Sequence, residues 1–215
     1  MEPVFKYTNG SEYVAKVAAW RLYPFPLTLA NFPHSLRPTQ LQTTVPYPPV
    51  IDWCMFPFLR DKLIMHHSID PSLDDICRDI GQAHVVRADL KDLVLGANSL
   101  AVKFRVYDII DGMENNPSWF TSRGDDSDIH TVSQPRPRIE LPAPSLQVLL
   151  NTREYAWELY RYLDLQNVMD GICLDSRFFS KYPHLYQPDP AIALGVFLST
   201  SNRTVWSMPQ PLDYP

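Results

Sequence analysis

Mostly α is the fold class this sequence predicts: a single compact helical domain with a long proline-rich N-terminal arm packed on it. Three observations lead there. A chain of 215 residues that is 45% hydrophobic and 20% charged has enough apolar surface for one globular core. Several segments repeat their apolar residues at spacings of three and four behind helix-start punctuation. The chain also holds 21 Pro against 7 Gly, and proline fixes φ and removes a backbone donor, so stretches between helices must run as extended or turn segments. One domain over residues 1–215 is expected, with the arm at 24–50, a helical core at 55–111 and 145–200, and an irregular loop at 112–144.

The elements follow in order. Asn9-Gly10-Ser11 punctuates the start of a short helix with Val14, Val17, Ala18 and Leu22 on one face, ended by Pro24 and Pro26. Pro24, Pro26, Pro33, Pro38, Pro46, Pro48 and Pro49 then exclude a regular helix. The apolar residues between them, Phe25, Leu27, Leu29, Phe32, Leu36 and Val45, predict an extended arm laid down on the domain. Pro57 suits a first helical turn, and Leu59, Leu63 and either His66 or His67 form the stripe behind it. Asp70 reads as an N-cap with Pro71 at the first helical position and Asp74 in the first turn. Leu73, Ile76, Cys77 and Ile80 recur at helical spacing up to Gly81, which makes this the best-punctuated helix of the chain.

From Gln82 to Leu95, the positions Val85, Val86, Leu90, Leu93 and Val94 suit a helix. Leu100 to Ile110 fits two patterns. Val102, Phe104 and Val106 alternate as in a strand, while Leu100, Phe104, Tyr107 and Ile110 share a helical face. Helix is the favoured reading, because no partner strand is evident nearby. After the 112–144 loop, Ser145 caps the longest helix candidate, lined by Leu146, Leu149, Leu150, Ala156, Trp157, Tyr160 and Leu163. Asp175 and Asp189-Pro190 read as two further short helix starts.

Composition narrows the function classes. The net charge of -5 and scattered basic residues do not supply the gathered Lys and Arg that phosphate backbones require. Cys54, Cys77 and Cys173 are too few and too widely spaced for a disulfide framework or a zinc site, and read as buried reduced thiols. No stretch reaches the ~18 consecutive apolar residues of a membrane span. Met1 to Tyr13 lacks a basic region followed by an apolar core, so an intracellular protein is expected, in cytoplasm or nucleus.

The candidate constellations each have a plainer structural reading. His66-His67 near Asp70 could suggest a metal, but adjacent helical side chains diverge by ~100°, whereas ligands on helices favour a spacing of three or four. Asp74, Asp75 and Asp79 could form a carboxylate pair for acid–base work, yet the first two occupy a first turn, where acids favour the dipole. Asp125-Asp126-Ser127-Asp128 lacks the glycine and glutamate of a calcium loop. No GxSxG, HExxH, dinucleotide glycine fingerprint or P-loop occurs, so no cofactor and no metal is expected.

One block stands apart: Pro33-His34-Ser35-Leu36-Arg37-Pro38-Thr39-Gln40-Leu41-Gln42, then Val45-Pro46-Tyr47, then Ile51-Asp52-Trp53-Cys54-Met55-Phe56-Pro57-Phe58-Leu59-Arg60-Asp61-Lys62-Leu63-Ile64. Over residues 33–80 the chain resembles the fungal bZIP-associated domain of unknown function, whose arm, turn and "RD" helix follow in this order. The resemblance implies a helical companion domain of fungal basic leucine-zipper regulators, many tied to stress or secondary metabolism. No basic region or leucine heptad precedes the block, so DNA binding is not expected to transfer. The family usually has His where Tyr47 stands, and its tryptophan-rich C-terminal stretch is not clear here.

Four residues of the block are candidates for binding or structural pinning: Asp52, Trp53, Arg60 and Asp61. Arg60 and Asp61 near a helix start could tie the arm to that helix through charge-assisted hydrogen bonds, and Asp52 could cap the turn before it. Two functions are open on this reading. One is a stand-alone companion-type domain that binds a partner protein or an apolar small molecule in regulation of fungal secondary metabolism. The other is a cofactor-free cyclase or isomerase of natural-product biosynthesis, its cavity shaped by 5 Trp, 11 Tyr and 10 Phe.

Overall fold

The structure is a computed structural model that describes residues 7–29, 32–115 and 139–199. Helix dominates these residues, as the periodicity predicts, but a five-stranded mixed sheet runs through them. The helices are α1 (Gly10–Leu22), α2 (Pro26–Leu29), α3 (Gln40–Thr44), α4 (Pro57–His67), α5 (Leu73–Gln82), α6 (Leu90–Leu93), α7 (Val106–Asn115), α8 (Leu146–Asn151), α9 (Arg153–Tyr162) and α10 (Phe178–Lys181). The strands are β1 (His84–Asp89), β2 (Ala101–Arg105), β3 (Cys173–Asp175), β4 (Ile192–Ala193) and β5 (Val196–Leu198), in the sheet order β4-β3-β1-β2-β5. Among the described residues no helix is long and apolar enough to cross a membrane.

Residues 24–50 do not form the extended arm expected of them. They fold into α2, a 3-10 turn at His34–Leu36, α3, and the start of a second 3-10 turn at Pro49–Trp53. The prolines are the reason. Pro26 and Pro49 open their turns, Pro33 and Pro48 stand just before one, and Pro38 precedes the cap of α3. A first-turn N–H has no intrahelical acceptor, so proline loses nothing there. Dense proline punctuates short turns here instead of straightening the chain.

The expected helix at 82–95 is β1 followed by the single turn α6, and the ambiguous segment from Leu100 is strand β2 running into helix α7. Val102 and Phe104 alternate inward on β2 and are fully buried, each side chain contributing about 1.5–3 kcal/mol. The partners of β2 are distant or disguised. One is β1, antiparallel, with Val85 opposite Arg105, and the other is β5, parallel, with Lys103 opposite Phe197.

The long helix after Ser145 is broken at Thr152, which takes extended φ and ψ (−115°, 136°) and separates α8 from α9. The short helix expected from Asp175 to Phe179 is α10, entered from the end of β3 through Asp175, whose Oδ1 accepts from the Arg177 N–H, whereas Asp189 begins a turn into β4 and not a helix. Leu22, expected on the buried face of α1, is 73% exposed, and Val17 is the residue of that face that is buried. Of the expected loop 112–144, residues 112–115 belong to α7, while residues 116–138 lie outside the described residues.

One face of the sheet is shared between two hydrophobic cores. Val86, Val102 and Phe104 pack with Ile109, Ile110, Leu149 and Leu159 of the C-terminal helices. Leu174 and Ile192 pack with Leu59, Leu63, Ile76 and Ile80 of α4 and α5. A third cluster, Val17, Phe32, Leu36 and Met55, seats α1 on the segment that follows it.

Candidate functional site

The block at 33–64 is an interlocked polar network, and it begins with a helix cap. Thr39 is the N-cap of α3: its Oγ1 accepts from the Gln42 N–H at 3.2 Å, and Gln42 Oε1 accepts from the Thr39 N–H at 3.0 Å. This reciprocal capping box satisfies two otherwise orphaned backbone donors. It also aims the Gln42 amide nitrogen inward, where Nε2 donates to Asp52 Oδ1 at 2.8 Å.

Asp52, on the 3-10 turn Pro49–Trp53, is 3% exposed and is the hub of the network. Its Oδ1 also accepts from the Tyr47 hydroxyl at 2.7 Å, and its Oδ2 accepts from Arg21 Nε at the end of α1. A buried carboxylate is tolerated when its lone pairs are filled by donors and its charge is paired. The Arg21 guanidinium also lies over the Tyr47 ring, 4.8 Å from its centroid. Burial, together with the bond to Asp52, pushes the Tyr47 phenol up to about 12.

Arg60, on α4, is 1% exposed and lies beneath the 3-10 turn His34–Leu36. Its Nη1 donates to Leu36 O at 3.2 Å, and its Nη2 donates to Ser35 O at 3.1 Å and Arg37 O at 2.7 Å. The planar fork thus takes up carbonyls that a short turn leaves without partners. Burial lowers the guanidinium's pKa, and its Nε has no hydrogen-bond partner among the described residues. Next to it, Asp61 accepts from Thr39 Oγ1 at 2.5 Å. Trp53, by contrast, is 49% exposed and joins neither group of bonds.

Directly above the Asp52 hub lies an open cleft of about 350 Å³. Trp20, Pro24, Val45 and Pro46 supply the apolar half of its lining, and Arg21, Gln42 and Tyr47, which Asp52 holds in place, supply the polar half. Asp52 therefore organises this surface from beneath. Of the lining, Gln42 has a readable signal in Thr-x-x-Gln, the capping-box pattern, and Tyr47 lies in the family-like block. Arg21 lies outside that block and carries no local signal.

The other sequence candidates sit elsewhere. His67 Nδ1 lies 2.8 Å from Asp70 Oδ2 and its Nε2 lies 2.9 Å from His184 Nε2, while His66 is exposed. Asp79 is buried and accepts from Lys181 Nζ at 2.6 Å and Tyr182 Oη at 2.7 Å, whereas Asp75 pairs with Arg78 on the exposed side of α5. Cys54 and Cys173 are buried and Cys77 partly so, and burial pushes the Cys54 thiol up to about 11. The Asp125–Asp128 acidic stretch lies outside the described residues.

Residues 15–105 match a family model described as a domain of unknown function (DUF3425). The matched stretch runs from within α1 to the last residue of β2 and contains the whole Asp52–Arg60 network. No curated protein and no solved structure matches the chain.

Proposed function

We propose that this protein is a binding domain of the bZIP-companion type, acting in the regulation of fungal secondary metabolism without reading DNA itself. Its ligand is an apolar small molecule or an apolar segment of a partner protein, seated in the cleft over Asp52. The observation that carries this reading is the cleft's make-up: apolar side chains interspersed with three polar groups held by one buried carboxylate. Ligand sites are commonly built this way, with apolar area supplying affinity and a few fixed polar atoms supplying orientation. Positioning on rigid turns limits the ordering cost of binding.

The cyclase or isomerase reading gains less support from the same geometry. The cleft is open to water, and the Tyr47 phenol, at about 12, is far from the neutral range suited to general acid–base work.

Trp20 lines the cleft and serves as the reporter. An apolar fluorescent probe such as anilinonaphthalene sulfonate should quench or shift its emission saturably. Val45→Glu, at a residue 41% exposed, should weaken that binding at least tenfold while leaving the melting temperature within about 1 °C. Unchanged probe binding by Val45→Glu would remove the cleft as the site. A low-salt mobility shift with random duplex DNA should show no complex.

A further inference from the structure

The opposite face of the sheet has a different character. Side chains alternate across a strand, so the register assigns each residue to a face. Lys103 lies opposite both Arg87 and Phe197, and Val85 lies opposite both Arg105 and Cys173. These six residues therefore share one face, and Asp175, two positions past Cys173, joins them. Arg177 follows β3 and lays its guanidinium over the Phe197 ring, 4.0 Å from the centroid, while Arg105 approaches the same ring at 5.0 Å.

Four cations thus share one sheet face, two of them over one aromatic ring, in a chain of net charge -5. Asp175 and Asp108 answer them, with Asp111 beside Asp108. Asp175 is buried, accepts from Lys103 Nζ at 2.9 Å, and takes Arg177 through Nε and Nη2 at 2.8 and 2.5 Å. Asp108 faces Arg105 electrostatically without a salt-bridge contact, and it accepts from Ser199 Oγ. Asp89, at the far end of this face, is matched by its own Lys91. Lys103 completes its donors on Ser176 Oγ and Ala193 O.

Arg105 differs from the others. It is half-buried, has Arg177 beside it, and has no hydrogen-bond acceptor among the described residues. Burial works most against its charge, Asp108 supports it, and the neighbouring Arg177 cation opposes it more weakly than Asp108 supports it. A guanidinium offers five N–H donors in a planar fork, and those of Arg105 reach solvent, where an anionic ligand can replace water.

We propose that this face is a binding site for a phosphorylated small molecule. Arg105 is the principal ligand for the phosphoryl oxygens, Arg177 and Arg87 flank it, and Phe197 forms a flat apolar wall beside them. Two neighbouring guanidiniums over one ring suit a phosphoryl group, of charge −1.5 to −2, better than a single carboxylate. The site is separate from the cleft over Asp52 and does not depend on the function proposed for it.

The test uses the full chain and inorganic phosphate, read by calorimetry and by thermal melting at constant ionic strength. Phosphate should bind saturably and raise the melting temperature, whereas acetate should do neither. Arg105→Gln should weaken phosphate binding at least tenfold, Arg105→Lys should weaken it less, and Arg78→Gln on the exposed side of α5 should bind like the parent. Absence of saturable binding overturns the proposal, as does equal loss in Arg78→Gln, which would mark diffuse attraction. Parent-like binding by Arg105→Gln also overturns it.

Discussion

His84 opens β1 with its Nε2 buried, no hydrogen-bond partner among the described residues, and the Phe56 ring edge-on at 5.6 Å. Burial depresses its pKa to about 4 from an ordinary 6.5. In the unfolded chain the imidazole takes a proton near pH 6.5, while the folded chain refuses it until about pH 4. Stability is therefore fully present above pH 6.5 and is lost as pH falls toward 4, at a rate one group limits to about 1.4 kcal/mol per pH unit. Urea melts from pH 7 to 4 should show this slope, and His84→Phe should flatten it. Tyr47 works at the other end of the scale. Its pKa is raised to about 12, so its contribution is present below pH 10 and fades between 10 and 12. Tyr47→Phe should remove that alkaline fall while lowering stability at pH 7 through the lost bond to Asp52.

At the scale of elements, α4 and the 3-10 turn His34–Leu36 are joined by one side chain. Arg60→Ala removes three hydrogen bonds to carbonyls, one of them buried at Leu36 and two partly buried at Ser35 and Arg37. Hydrogen bonds to a charged group contribute about 1.5–3 kcal/mol, which for a chain of this size lowers the melting temperature by about 3–12 °C. Thermolysin should then cut within residues 33–50, and protection equal to the parent's would count against the joint. Legibility follows the same division between local and distant partners. Helix α5 is readable because Leu73, Ile76 and Ile80 keep one face, but its N-cap is Ser72 and not Asp70, which with Pro71 forms the turn before it and accepts from the Ser72 N–H and hydroxyl. Asp52, Arg60 and Asp61 stand out by their place in the family-like block. What Arg60 binds cannot be read, because its acceptors are backbone oxygens with no side-chain identity. Strands β1 and β2 are hidden for a related reason. Val85 and Val86 suit either period, β4 and β5 are only two and three residues long, and the pairing that decides the matter spans most of the chain.

At the scale of the whole molecule, the stretch that matches the family model and the sheet it contributes to do not coincide. Residues 15–105 supply β1 and β2, but their remaining partners β3 and β5 come from beyond residue 170. Lys103, 3% exposed, finds Asp175 and Ala193 O only there. A buried cation stripped of its partner is strongly destabilising. A fragment of residues 15–105 should accordingly show no cooperative thermal transition by circular dichroism, while the full chain melts in one. Gly195 tests the same closure by a single atom. It sits at φ +108°, and an added Cβ would meet Ala101 O at 2.6 Å, so Gly195→Ala should loosen β5 from β2 and lower the melting temperature.

The β2–β5 pairing also bears on how the chain is born. Phe104 leaves the ribosome with one edge of its strand bare, and Leu198, which will cover that edge, is still to be translated. At about 5–20 residues per second, the wait lasts roughly 5–20 seconds. Through that interval the nascent chain offers an apolar strand to its neighbours, which makes it a client for ribosome-associated chaperones and ties its yield in a cell to the pace of synthesis.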